Sequence, residues 1–351
     1  GSISVADVRA VVIRAHGGLD ALELTERPVP VPGPGEVRVR VRAVGLNHLD
    51  VWVRRGVPGH VFPLPIVPGC DVAGVVDALG PGARGVAPGD EVVLGPLLSC
   101  GRCRACRAGE EPLCRDAEIL GESRDGGCAE YVVVPDVNVH ARPAGLDPEQ
   151  AAAVPLTFLT AWHMLHARAG VRPGERVIVH AAGSGVSSAA IQIAALSGAR
   201  VFATAGSDAK CTRARELGAE VVVNYRTQDF AAEAKRWAGK TGVEVVLDHV
   251  GAETFEKSLR CLGRGGRYVT CGSTSGHEMR TDFRLVFFKS LSILGSTLGS
   301  GHELARILDL VAIGRLKPVV DSVLPLERVR EAHARLEARD VFGKIVLTLP
   351  A

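Results

Sequence analysis

Four cysteines in the stretch Cys100-Gly-Arg-Cys-Arg-Ala-Cys-Arg-Ala-Gly-Glu-Glu-Pro-Leu-Cys114 stand at the spacing C-x2-C-x2-C-x7-C. Thiolates gathered by loops this short form a closed tetrahedral shell for zinc and leave no position for a substrate. An iron–sulfur cluster is the competing reading. Ferredoxin-type runs place the fourth cysteine after three residues and follow it with proline, whereas here the gap is seven and Arg115 follows. A metal-free cluster would leave the grouping of four of the chain's nine cysteines in one lobe without a reason. Cys100, Cys103, Cys106 and Cys114 are therefore expected to hold one structural zinc that staples a loop and activates nothing.

A second group is "HAAGSGVSSAA", His180 to Ala190. Small residues between a strand and a helix let the pyrophosphate of a dinucleotide approach backbone N–H groups at the helix N-terminus, so Gly183, Ser184, Gly185 and Val186 are candidate cofactor contacts. Ser187 and Ser188 stand where a stricter fingerprint has glycine. An NAD-selective site carries an Asp or Glu at the end of the second strand, but that end reads Thr204-Ala205-Gly206-Ser207. With no carboxylate at the tip to repel a 2′-phosphate, and Ser207 and Lys210 placed to bond one, NADP(H) is expected over NAD(H). Asp208 argues the other way, and the plain alternative for Lys210 is a solvated helix residue. His180 and His249 end buried strands and are read as hydrogen-bonded core histidines. Cys128, Cys211, Cys261 and Cys271 are read as small apolar core residues.

Two kinds of element must hold these groups. Up to about Val134 the pattern has period two, as in "EVRVRVRAV" (Glu36 to Val44), where valine alternates with charge. Pro34-Gly35-Glu36, Pro88-Gly89-Asp90 and Pro173-Gly174-Glu175 each mark a turn that launches a valine-rich strand. After about Pro155, apolar strands alternate with amphipathic helices: "RVIVHA" (176–181), "RVFATA" (200–205), "EVVVNY" (220–225), "EVVLDHV" (244–250), "RYVTCG" (267–272) and "LSILGST" (291–297). The helix in "SDAKCTRARELG" is expected to start at an Ser207 N-cap, and that in "AETFEKSLRCLG" to end at Gly263. The expected fold class is α/β: a β-rich domain followed by a doubly wound, parallel six-stranded nucleotide-binding sheet. The tail from about Gly301 reads helix, strand, helix, strand and is expected to rejoin the β-rich part.

Composition narrows the function. The 351 residues are 46% hydrophobic and 23% charged, with a net charge of +2 and no long run of one sign, so nothing in the charge balance points to nucleic acid or an anionic membrane. Val177 to Ala199 carries no Asp, Glu, Lys or Arg, yet His180, Gln192, serines and glycines make it strand, turn and helix rather than a membrane span. An odd cysteine count with one tight cluster fits reducing surroundings better than a secreted disulfide framework. No charged-then-apolar leader pattern opens the sequence, so cytoplasm is the expected compartment.

Cluster spacing, glycine-rich turn and domain order together resemble the zinc-type alcohol dehydrogenase and quinone oxidoreductase superfamily, the medium-chain dehydrogenase/reductases. The resemblance implies a GroES-like catalytic domain at 1–154 and 298–351, a Rossmann domain at 155–297, a cleft between them, and a homodimer or homotetramer. It also implies that the four clustered cysteines are the family's structural zinc lobe. Zinc-dependent members hold a catalytic metal with a Cys after the "RVRVRAVGL" strand, a His-Glu pair and a later Cys or Asp. This sequence has instead Asn47, Cys70-Asp71 and the Leu156-Thr157-Phe158 neighbourhood. His48, Cys70 and Asp71 are an unorthodox alternative metal set. "GLNHLDVWVRRG", "PGCDVAGVV", "VPLTFLTAW" and "HAAGSGV" resemble the quinone oxidoreductase branch, which implies NADPH-dependent, metal-free hydride transfer to a conjugated enone, quinone or related small-molecule carbonyl. The resemblance places Asn47, His48 and Thr157 near the nicotinamide as candidate catalytic donors. Asp50 is read as anchoring the loop, and Trp52 and Phe158 as candidates to line the pocket, with plain core packing as the alternative. Tyr225 resembles the aromatic near the 2′-phosphate, and Gly272, Gly295, Ser296 and Thr297 end late strands that resemble those bracketing the nicotinamide, where ordinary strand-end turns would look the same. The alternatives are an alcohol dehydrogenase or ketoreductase of the same fold, and an NADP-binding protein without turnover.

Overall fold

The valine–charge alternation of Glu36–Gly45 forms the central strand of a sheet, with Val37, Val39 and Val41 buried on one face. In the computed structural model, which describes residues 7–350, the chain divides into two compact units. One comprises the chain up to Leu156 together with the part from Ser300 onward, and the other is Thr157–Gly299.

In the discontinuous unit a seven-stranded sheet runs in the order Val320–Pro325, Lys344–Thr348, Glu36–Gly45, Asp71–Leu79, Glu91–Leu94, Val139–Ala141, with Tyr131–Pro135 also pairing to Glu36–Gly45. All pairings are antiparallel except that of Val320–Pro325 with Lys344–Thr348. The tail thus supplies the helix Gly301–Ala312, a strand, the helix Val329–Glu337 and a last strand that lies directly beside the central one. Gly35, Gly89 and Gly174 take the positive φ that the three Pro-Gly-acid turns require. Aliphatic residues of both segments share one core, including Val39, Leu94, Ile345 and Leu347.

The second unit holds six parallel strands in the order Val221–Asn224, Arg200–Ala205, Arg176–Val179, Val243–Asp248, Leu262–Thr270, Ser292–Gly295. The order reverses direction between Arg176–Val179 and Val243–Asp248, so the loops after those two strands flank the switch point. The charge-free stretch forms strand Arg176–Val179 and helix Gly185–Leu196, and no helix among the described residues is long and apolar enough to cross a membrane. Ser207 caps helix Asp208–Glu216 as expected, its Oγ accepting from the Lys210 N–H. The helix Phe255–Cys261 ends earlier than expected. Leu262 already pairs with Val243, and the register then shifts before Arg267 meets Val245, so Gly263 lies in the irregular part of the strand rather than closing the helix.

Candidate functional site

The cysteine lobe is a loop excursion closed at its base by the short strand pair Leu97–Leu98 and Glu118–Ile119. The Sγ atoms of Cys100, Cys103, Cys106 and Cys114 all lie within 4.8 Å of one another. Cys103 and Cys106 are 3.5 Å apart and Cys100 and Cys106 3.9 Å; a tetrahedral zinc–thiolate shell has S–S edges of about 3.8 Å. Backbone N–H groups of Arg102 and Cys103 draw the Cys100 thiol down to about 6, and the Cys106 N–H points at the Cys103 sulfur. Donor type, number and spacing fit zinc, which would cross-link the lobe with a complete shell.

A different arrangement sits where neighbouring strand ends meet in the same unit. Asn47 follows the end of Glu36–Gly45, Asp71 opens the strand paired with Gly45, and Lys344 opens the strand on the other side. Lys344 Nζ donates to Asp71 Oδ2 at 2.8 Å and to Asn47 Oδ1 at 2.6 Å, and all three residues are buried. The Asn47 side-chain amide donates to Asp71 Oδ2 at 2.9 Å, with Cys70 Sγ at 3.2 Å and the Gly45 carbonyl at 3.3 Å also in reach. The Leu156 N–H holds Asp71 Oδ1. Both Asp71 oxygens and the whole Asn47 amide are therefore committed to protein partners. Asp50 accepts from the Asn47 and Gly69 N–H groups, anchoring the loop. Burial pushes its carboxyl up to about 6 against those donors and Lys344. Burial, and then the carboxylates of Asp71 and Asp50, push the Cys70 thiol well above its ordinary range.

This donor set does not fit a catalytic metal. Among the described residues only the four clustered cysteines bring three or more His, Cys, Asp or Glu ligand atoms together. His48, Cys70 and Asp71 form no such group, and the cation beside Asp71 is the Lys344 ammonium. Sequence reasoning missed Lys344. Its one local signal is a lysine heading an otherwise apolar run, Lys344-Ile-Val-Leu.

His48 is half-buried at the first position of helix His48–Arg55. Thr157 belongs to the other unit, buried in the first turn of helix Pro155–Trp162. Phe158 is a core residue of that unit, and Trp52 is exposed.

The glycine-rich turn has the form a phosphate needs. Ala181 adopts φ +54°, a conformation uncommon for a residue with a side chain. Thr204 holds it there: its Oγ1 accepts from the Ala181 N–H and its carbonyl from the Ala182 N–H. Ser184 caps helix Gly185–Leu196 through the Ser187 N–H. The first N–H groups of this helix, including those of Gly185 and Val186, have no acceptor within the helix and favour an anion. At the end of the next strand, a Cβ on Gly206 would lie 2.6 Å from the Tyr225 hydroxyl, so glycine there makes room for the Tyr225 ring beside the turn that leads to Ser207. The Asp208 carboxylate accepts from the Asn224 side-chain amide. Thr270 joins the last two strand ends: its carbonyl accepts from the Ser296 N–H and its Oγ1 from the Gly272 N–H. Gly295 and Thr297 flank Ser296 there. Each of these cofactor candidates thus lies at or just beyond the carboxyl end of a strand of one parallel sheet. His180 is a core histidine, between Thr204 Oγ1 and Ser258 Oγ, and burial lowers its pKa. His249 is not: it is half-buried beside Ser184 and Ser187.

Residues 33–144 match the alcohol dehydrogenase GroES-like domain and residues 185–312 the zinc-binding dehydrogenase domain. The quinone oxidoreductase of Homo sapiens is 32% identical over 350 residues, covering 97% of this chain and 98% of that protein. The NAD-dependent alcohol dehydrogenase of Saccharolobus solfataricus is 31% identical over 314 residues, covering 87% and 90%. A crystal structure of an NAD-dependent alcohol dehydrogenase superposes with a TM-score of 0.94 at 56% identity, covering 97% of this chain and all of that one. Two domains matched in the expected order, and relatives aligned almost end to end, mean that the chain belongs to the zinc-type alcohol dehydrogenase and quinone oxidoreductase superfamily and is an NAD(P)H-dependent medium-chain dehydrogenase/reductase.

Proposed function

We propose that the enzyme reduces a conjugated enone, quinone or related carbonyl with NADPH and without a catalytic metal. The observation that carries this reading is the Lys344 ammonium bonded to Asp71 and Asn47, which gives the buried carboxylate a cation from the chain itself. Bound NADPH supplies the hydride. Hydride arriving at the β-carbon of a conjugated carbonyl leaves charge on its oxygen, and hydrogen-bond donors stabilise that charge without a Lewis acid. His48 and Thr157 are the proposed donors. Asn47, with its amide fully committed, is proposed to position the loop that carries His48. Ser207, Lys210 and Tyr225 are proposed to hold the 2′-phosphate. The Asp208 carboxylate, engaged by Asn224, is turned to its own neighbour.

A second reading, alcohol dehydrogenase or ketoreductase, is favoured by the names of the two alcohol dehydrogenases above, both NAD-dependent. One assay series separates the two: oxidation of NADPH and NADH over a panel of enones, quinones, ketones and aldehydes, with zinc counted by mass spectrometry. The expected result is reduction of enones or quinones with one zinc per chain, and a rise of at least about tenfold in the NADPH KM of Lys210→Glu with little change for NADH. Two zincs per chain, one removable with loss of alcohol oxidation, would favour the second reading. Self-association is proposed through the outer strand Ser292–Gly295, in which Ile293 is exposed, and the preceding helix, in which Phe283, Phe287 and Phe288 are exposed.

A further inference from the structure

His249 follows the strand Val243–Asp248, and the glycine-rich turn follows Arg176–Val179. These are the two strands between which the sheet order reverses. His249 Nε2 lies 2.8 Å from Ser184 Oγ and 2.9 Å from Ser187 Oγ, so one imidazole nitrogen bridges the switch point to both hydroxyls at the start of helix Gly185–Leu196. The His249 carbonyl in turn accepts from the backbone N–H and the hydroxyl of Thr274, and the next carbonyl, of Val250, accepts both from Ser275. His249 therefore joins the glycine-rich turn to the loop that follows Gly272.

The surrounding bonds fix where the imidazole proton is. Ser187 donates its hydroxyl hydrogen to the His180 carbonyl at 2.6 Å, which leaves only lone pairs on Ser187 Oγ for its other neighbours. An unprotonated Nε2 at 2.9 Å would set lone pair against lone pair. With a hydrogen on Nε2 each of these serine contacts is satisfied. His249 donates to the serine pair, and Ser184 accepts from the Ser187 N–H while donating to Ser187 Oγ at 3.2 Å. The Ser184 hydroxyl hydrogen is then the one mobile donor of the set, able to turn from Ser187 to an anion at the helix N-terminus.

We infer that His249 is a positioning residue for the cofactor: through Nε2–H it locks Ser184 and Ser187, and with them the first turn of the helix, in the form that receives the pyrophosphate. The inference rests on the reading that a pyridine dinucleotide binds at this sheet edge. It differs from the role given to Lys210, because the pyrophosphate is common to both cofactors.

The test compares His249→Gln, His249→Asn and His249→Ala by fluorescence titration with NADPH and NADH, alongside kcat, KM and a thermal melt. The glutamine amide nitrogen reaches the place of Nε2, whereas that of asparagine stops near Nδ1. His249→Ala and His249→Asn are expected to raise Kd and KM for both cofactors by about tenfold. In the same variants, kcat at saturating cofactor should stay within about threefold of the parent and melting within a few degrees. His249→Gln should recover most of the affinity. Unchanged Kd in His249→Ala would overturn the inference, as would glutamine and asparagine variants of equal affinity, and that pair decides the matter even where the alanine variant folds poorly. A parent protein that binds neither cofactor would sink the dinucleotide reading and this inference together. A binding parent with an indifferent His249→Ala sinks this inference alone.

Discussion

The cysteine lobe and the Asn47–Asp71–Lys344 cluster belong to one unit and meet the same electrostatic need in opposite ways. In the lobe, four cysteine sulfurs on a surface loop converge within 4.8 Å, and a zinc ion would balance the negative charge of their thiolates. In the cluster, a carboxylate buried at the meeting of three strands is balanced by a lysine from the last strand of the chain. A loop cross-linked by an ion can open without the rest. A core cluster built from strand ends cannot, because its charges are part of the sheet that surrounds them.

The comparison is sharpest at Lys344. Lys344→Met should destabilise the protein by about 3–5 kcal/mol in chemical denaturation, since it strands Asp71 without a partner. Adding Asp71→Asn should recover a good part of that loss, and zinc should stay at one per chain in both. A second zinc in Lys344→Met would mean that the site is a masked metal site, and the contrast would fall.

Asp50 gives the next effect, through pH. Burial raises its pKa in the folded state from the ordinary 3.8 to about 6, so between those values the folded chain binds the proton that the unfolded chain has lost. The contribution to stability is present below about pH 4 and lost as pH rises through 6. Asp50→Asn removes this dependence, so its stability relative to the parent should improve from pH 4 to pH 7, by up to about 3 kcal/mol. Parallel pH–stability curves would show that Asp50 does not titrate in this window.

The smallest effect on global stability is expected at the lobe. Cys103→Ser should lose the zinc and speed protease cleavage around residues 100–114, while the unfolding free energy falls by only about 1–2 kcal/mol and kcat of the folded molecules is nearly unchanged. A loss as large as that of Lys344→Met would show the lobe to be integral to the core.

What was legible in the sequence was local. Alternating valines predict Glu36–Gly45, apolar runs predict the six parallel strands, and cysteine spacing predicts a lobe whose geometry suits zinc. The cluster was not legible, because Lys344 lies 273 residues from Asp71 and 297 from Asn47, and no spacing rule links them. His249 shows a subtler limit. Its place after an apolar strand reads as core, and for His180 that reading is right; both histidines follow their strands by one residue, but the His180 ring turns inward between Thr204 and Ser258 while the His249 ring turns to the serines of the neighbouring helix. The early end of helix Phe255–Cys261 has a tertiary cause, since pairing with Val243 overrides the glycine signal.

That Lys344 comes from the tail has a further consequence, for synthesis. Asp71 leaves the ribosome long before its counter-charge exists, and the contiguous segment Thr157–Gly299 emerges whole in the interval. The nucleotide-binding unit can therefore mature on the nascent chain, while the other unit must wait for Lys344 to emerge before its buried carboxylate is balanced.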